Sequence, residues 1–150
     1  MASNQDRLDL AWTYDGDIVI GASGDLQDTS DDVLRSFIQE VQTRVRSALE
    51  DWEPWPEIGS NLDELRGEIN NRQTAQEGQQ RIITALTFRG FMKSGDIKVR
   101  FVPVTKSKLM YFLNLTVEGT SANNFVEDVR LNLVYDSAED GIIFTDVIPN

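Results

Sequence analysis

The side chains best equipped for chemistry in this sequence are carboxylates: 25 aspartates and glutamates stand against 14 lysines and arginines. Glu53 with Glu57, or Asp63 with Glu64, offers the pair of acids that a glycosidase-type reaction needs, one donating a proton and the other accepting. Nothing in their spacing separates them from ordinary solvated acids. Histidine and cysteine are absent, which removes thiolate nucleophiles, Cys–His zinc sites and every histidine-based triad or general base. Gly21-Ala22-Ser23-Gly24 lacks the Gly-x-Ser-x-Gly spacing of a nucleophile elbow. Neither a Walker A loop nor a Gly-x-Gly-x-x-Gly run is present. Asp15-Gly16-Asp17 has only the start of a calcium loop and reads better as a turn. The expectation is a protein that is not an enzyme, with no catalytic residues, no metal and no cofactor.

Binding chemistry is the better prospect. Of the tryptophans Trp12, Trp52 and Trp55, Trp52 falls on an apolar helical stripe and is expected in the core. Trp55 stands between Pro54 and Pro56, where it is either packed or exposed as an anchor for a partner. The net charge of −11 is unevenly spread: residues 1–68 hold 16 acids and 5 bases, residues 69–150 hold 9 of each. Within the second part, residues 69–108 carry 8 bases against Glu77 and Asp96. This is either a mixed solvated surface or an acidic and a basic face for different partners. The overall charge repels phosphate, so nucleic acid is not expected as a partner. No apolar run approaches the roughly 20 residues of a membrane span, and the first residues lack the pattern of a secretory signal. No membrane is expected, and the cytosol is the default location.

The elements that would position these groups follow from periodicity. Leu8, Leu10 and Trp12 alternate with Asp9, Ala11 and Thr13, Asp15-Gly16 turns, and Ile18-Val19-Ile20 returns as a hairpin. Gly21, Ser23 and Gly24 read as a flexible exit, and Asp28-Thr29-Ser30 as helix caps. Residues 31–52 predict a helix, with Val33, Phe37, Val41, Val45 and Leu49 at steps of four and Ile38, Ala48 and Trp52 widening the stripe. Asp31 and Asp32 suit its N-terminal dipole, and Pro54 stops it. A short helix carries Leu62, Leu65 and Ile69. Thr74 and Glu77 form a capping box for a second long helix with Ile82, Ile83, Ala85 and Leu86 inward, ending by Gly90 and Gly95. Alternation then predicts strands at 97–102, 109–117 and 129–135, and a turn over 137–141 leads into a last strand at 142–148. The fold class is α+β: an N-terminal β-hairpin, two long helices with a short helix between, then an antiparallel β-meander, in a single domain over 1–150. Such a meander leaves a free edge. Lys98, Arg100, Lys106 and Lys108 either guard it or flank a site that accepts another chain's strand.

The order of these pieces resembles a known family. Asp9-Leu10-Ala11-Trp12 followed by Asp15-Gly16-Asp17-Ile18-Val19-Ile20 is similar to the opening of the phage baseplate wedge family. That family was once called lysozyme-like and has a counterpart in type VI secretion baseplates. Pro56-Glu57-Ile58-Gly59-Ser60-Asn61-Leu62-Asp63-Glu64-Leu65 resembles its Pro-x-Tyr-Gly-Ser-x-Leu-x-x-Leu segment. Thr74-Ala75-Gln76-Glu77 through Ile82, Ile83, Ala85 and Leu86 resembles its second helix, and Ile97-Lys98-Val99-Arg100-Phe101 its first sheet strand. The match covers about residues 8–118, leaving 119–150 as additional strands. The sequence departs from the family at Ile58, where an aromatic is usual, and at Thr87-Phe88-Arg89, where Glu-Pro-Arg is usual.

The resemblance implies a structural role in the virion, at the baseplate of a contractile tail, after synthesis in the host cytoplasm. It implies a contact of Arg89 and Phe88 with the wedge helical bundle. It also implies strand pairing with the tail sheath protein through the strands of Ile97, Val99 and Phe101 and of Tyr111, Leu113 and Leu115. Partners would be sheath, wedge and possible tube or hub proteins, with Trp55 a possible further anchor. An adaptor of the same fold that binds no sheath is the alternative, and a cell-wall glycan hydrolase using Glu53 or Glu57 is the third.

Overall fold

A computed structural model of the protein describes residues 9–13, 17–30, 32–118, 126–138 and 141–149. Leu8, the Asp15-Gly16 turn, Asp31 and the whole of 119–125 lie outside the described residues. The chain forms two compact units, Met1–Gln42 and Thr43–Asn150.

In the first unit three short segments pair through isolated antiparallel bridges: Trp12 with Ile18, Ile20 with Leu26, and Leu10 with Asp28. Ala11, fully buried, holds the centre, donating to Gln27 O at 2.8 Å and accepting from Val19 N at 2.9 Å. Gly21 to Gly24, read from sequence as a flexible exit, is a tight turn. Gly24 N returns to Gly21 O at 2.9 Å, and a φ of 86° at Gly24 suits a residue without a β-carbon. Gln39, on the helix that follows, accepts from Trp12 N at 2.8 Å and donates to Leu10 O at 3.0 Å. Its side-chain amide thus mimics a strand neighbour.

That helix, α1 (Val33–Arg46), is shorter than the 31–52 predicted. Asp32 caps it, accepting from Arg35 N at 2.9 Å, whereas Asp28 turns to Ser30 instead. The apolar stripe keeps Ile38, Val41 and Val45 buried but leaves Val33, Leu49 and Trp52 exposed. Tertiary hydrogen bonds end the helix eight residues before Pro54. Ser60 Oγ donates to Val45 O at 2.6 Å, Ser60 N takes Ser47 O at 2.9 Å, and Glu50 adopts a left-handed φ of 72°. Gly59 allows this clasp, since a β-carbon there would lie 2.6 Å from the Ala48 carbonyl carbon. Trp52, expected in the core, therefore sits outside.

A 3-10 turn over Leu62–Leu65 buries both leucines. Gly67 then takes a left-handed φ of 81° and Ile69 is left 77% exposed, not packed as expected. Helix α2 (Arg72–Thr87) starts before the expected Thr74 box, because Asn71 is the cap and accepts from Thr74 N. Thr74 Oγ1 instead donates to Ile69 O at 2.8 Å, and Glu77 turns to Arg81. Ile82, Ala85 and Leu86 are buried as the spacing requires, while Ile83 is half-buried.

Four antiparallel strands complete the unit: β1 (Ile97–Pro103), β2 (Lys108–Glu118), β3 (Val126–Asp136) and β4 (Gly141–Pro149), in that spatial order. One face is apolar and covered. Val99, Tyr111, Leu113, Leu115, Leu131 and Leu133 are buried there. Tyr111 reaches α2, donating to Ala75 O at 3.2 Å, and meets Phe101 edge to face across the strands. An α+β architecture of two helices and a four-stranded antiparallel sheet is thus established.

Candidate functional site

Two groups of residues bear on the expected contacts: the turn after α2 and the two edges of the sheet. The turn is Phe88–Gly90, with Arg89 in a left-handed conformation (φ 54°, ψ 26°). Holding such a residue costs energy that neighbouring contacts must supply. Arg44 supplies them: its Nη1 donates to Ala85 O at 3.3 Å and to Phe88 O at 3.2 Å, and its guanidinium lies 4.4 Å from the Phe91 ring centroid. A cation against the last carbonyls of α2 also suits the helix dipole. Arg89 itself is exposed, 3.4 Å from the Glu57 carboxylate, with its guanidinium over the Phe88 ring.

Phe88 and Glu57 also border an open cleft of about 350 Å³, with Leu49 and Ala85 on its apolar side and Arg81 and Glu77 on its polar side. Arg81 is fully engaged, donating to Asn61 O and pairing with Glu64 and Glu77 at 2.8 Å each. Burial works against its charge, but the two carboxylates outweigh that and raise its pKa. Glu57 holds Arg89, Glu64 holds Arg81, and Glu53 and Asp63 are exposed. Among the described residues no group of three acids is arranged to hold a metal, and no helix is long and apolar enough to cross a membrane.

The sheet places the expected pairing residues unequally. Tyr111, Leu113 and Leu115 lie on β2, which pairs with β1 on one side and β3 on the other. Their backbone has no free side for a neighbour. Ile97, Val99 and Phe101 lie on β1, an edge strand. That edge is encumbered: Gln79 Nε2 donates to Val99 O at 2.6 Å, and Pro103 at its end has no N–H to offer. Exposed Lys98 and Arg100 add charge. The opposite edge is β4, which pairs with β3 alone among the described residues. It carries a bulge: Asn132 faces Asp146 and Leu133 faces Phe144, so Thr145 has no register partner.

Trp55 is half exposed, in a loop whose backbone is closed on itself. Sequence reasoning missed Arg44, although its place three residues after Val41 and one before Val45 put it beside the apolar stripe. It also assigned no role to β4. The chain matches no family model, no curated protein and no solved structure.

Proposed function

We propose that this protein is a non-enzymatic structural component of a contractile phage tail baseplate, one that joins the wedge to the tail sheath and starts sheath assembly by pairing with an extended sheath strand. The reading takes residues 1–150 as one wedge-like domain opened by a β-hairpin, located in the virion. The observation that supports it best is the β4 edge, a nine-residue strand paired on one side only among the described residues. Unpaired donors and acceptors in a row are a template for strand addition. The Arg89 turn, exposed and held from behind by Arg44, suits a contact with the wedge bundle, and Trp55 suits a second anchor.

The test mixes the purified protein with the tail sheath protein. Thr145 has no register partner in β3, so proline there is expected to cost the sheet less than it costs an added outer strand. Thr145→Pro is expected to weaken the complex by about tenfold or more. Unchanged affinity with prolines in both β4 and β1 would overturn the reading. An adaptor of the same fold that binds no sheath is favoured by the encumbered β1 edge. A sheath gene beside this one argues against it.

A further inference from the structure

The face of the sheet turned away from α2 is not an ordinary polar surface. Val102 stands opposite Met110, Met110 opposite Val134, and Val134 opposite Ile143, so one apolar row crosses all four strands. Val102 is 49% exposed and Ile143 60%. Phe112 extends the row toward a basic zone of Arg100, Lys98 and Arg130, all exposed, on the next register positions. Asp128, further along the same face, accepts from Thr116 Oγ1 at 3.0 Å.

The opposite chemistry is displayed by the loop after α1. Leu49, Trp52 and Trp55 are exposed there, interleaved with exposed Glu50, Asp51 and Glu53. The loop is preorganised. Trp52 Nε1 donates to Ser47 Oγ at 2.9 Å, Ala48 N to Asp51 Oδ2 at 2.7 Å, and Glu50 N to Pro56 O at 2.7 Å. Trp55 N donates to Trp52 O at 2.9 Å, and Ile58 N to Trp55 O at 3.1 Å. A loop already fixed in shape loses little freedom on docking, and rigid tryptophans are the usual anchors of an interface.

We propose that the outer face of the sheet is the docking site for the 47–58 loop of a second copy of this chain. The tryptophans and Leu49 cover the apolar row, and Glu50, Asp51 and Glu53 face Lys98, Arg100 and Arg130. Arginine beside tryptophan adds a cation–π component. Leu49 and Glu57 of this segment line a cleft with Arg81, Thr84 and Ala85 of α2, and no residue of the outer sheet face lines it, so the two patches are different surfaces. The contact is head to tail, and it propagates into a closed ring or an open filament. It is independent of the sheath reading, since it leaves the β4 edge unused, but it competes with the wedge contact for Trp55.

Mass by light scattering on the full chain tests this. At about 100 μM in low salt the wild type is expected to exceed monomer mass, and to dissociate as salt screens the charges. Trp55→Ser with Glu53→Lys blocks the loop, and Val102→Asp with Arg100→Glu blocks the face. All four positions are exposed or half exposed, and circular dichroism melting confirms folding. Each blocked protein is expected to be monomeric alone, and an equimolar mixture to stop at dimer, through the one intact contact. A monomeric wild type, a monomeric mixture, or blocked proteins that associate as the wild type does would each overturn the proposal.

Discussion

Arg44 donates to the carbonyl of Phe88 at 3.2 Å, joining the last turns of α1 to the turn that displays Arg89. The same nitrogen reaches Ala85 O, and the residue is 7% exposed. Replacing Arg44 with alanine strips these carbonyls of a charged donor and removes the packing on Phe91. A loss of about 2–4 kcal/mol in urea unfolding is expected. Lysine keeps the charge but not the planar stack, so Arg44→Lys should recover only part of the loss. Arg89→Ala, by contrast, should leave stability within about 0.5 kcal/mol, its pair with Glu57 being exposed.

Gly78 on α2 gives the second prediction. In most exposed helices Gly→Ala stabilises by about 1 kcal/mol, but a β-carbon here would overlap the Tyr111 phenol oxygen and lie 2.9 Å from its Cζ. Gly78→Ala should therefore destabilise by about 1–3 kcal/mol. Adding Tyr111→Phe removes the worse overlap and should return part of the loss. Strictly additive effects in the double variant would show that the two do not touch.

Tyr135 behaves differently from Tyr111. Burial pushes both phenols up in pKa, yet Tyr111 has Ala75 O as its acceptor while the buried Tyr135 hydroxyl has no hydrogen-bond partner among the described residues. An unsatisfied buried hydroxyl is a net cost. Tyr135→Phe should leave stability unchanged or raise it by up to about 1 kcal/mol in thermal melts, whereas Tyr111→Phe should lower it.

Acid sensitivity is expected at the β3–β4 end. The Asp136 carboxylate accepts from Ala138 N at 3.0 Å and pairs with Lys108, its register neighbour on β2, at 3.2 Å. The amide of Ala138, then Lys108 and Ser107, hold its pKa below the usual carboxylate value. A folded pKa below the unfolded one means the contribution is whole at neutral pH and is lost as the pH falls below the ordinary carboxylate range. Wild type should therefore be more stable than Asp136→Asn at pH 7. The gap should close in acid, as followed by denaturant midpoints.

Much of this architecture was legible in advance, and the misses share one cause. β1, β2 and β3 alternate with a period of two and α2 has helical spacing, which places them within a few residues; β4, whose Ile142-Ile143-Phe144 run does not alternate, follows from the turn before it. The end of α1 was not legible, because Gly59 and Ser60, well beyond its last residue Arg46, interrupt a periodic stripe that by itself predicts helix through Trp52. Ile69 was misplaced for a similar reason: a left-handed Gly67 takes it off the face that Leu62 and Leu65 share. At the candidate site, Arg89 and Trp55 could be singled out from local context. The support from Arg44, the Gln79 bond on β1 and the interior position of β2 depend on pairings between distant segments, which a single sequence does not encode locally.

Amide hydrogen exchange of Gly141–Pro149, with and without the tail sheath protein, tests the central claim most directly. The account predicts that a subset of β4 amides exchanges rapidly in the free protein and slows by about tenfold or more in the complex, while β2 is protected throughout. A complex that forms with β4 exchange unchanged, or a β4 already fully protected in the free chain, would contradict it.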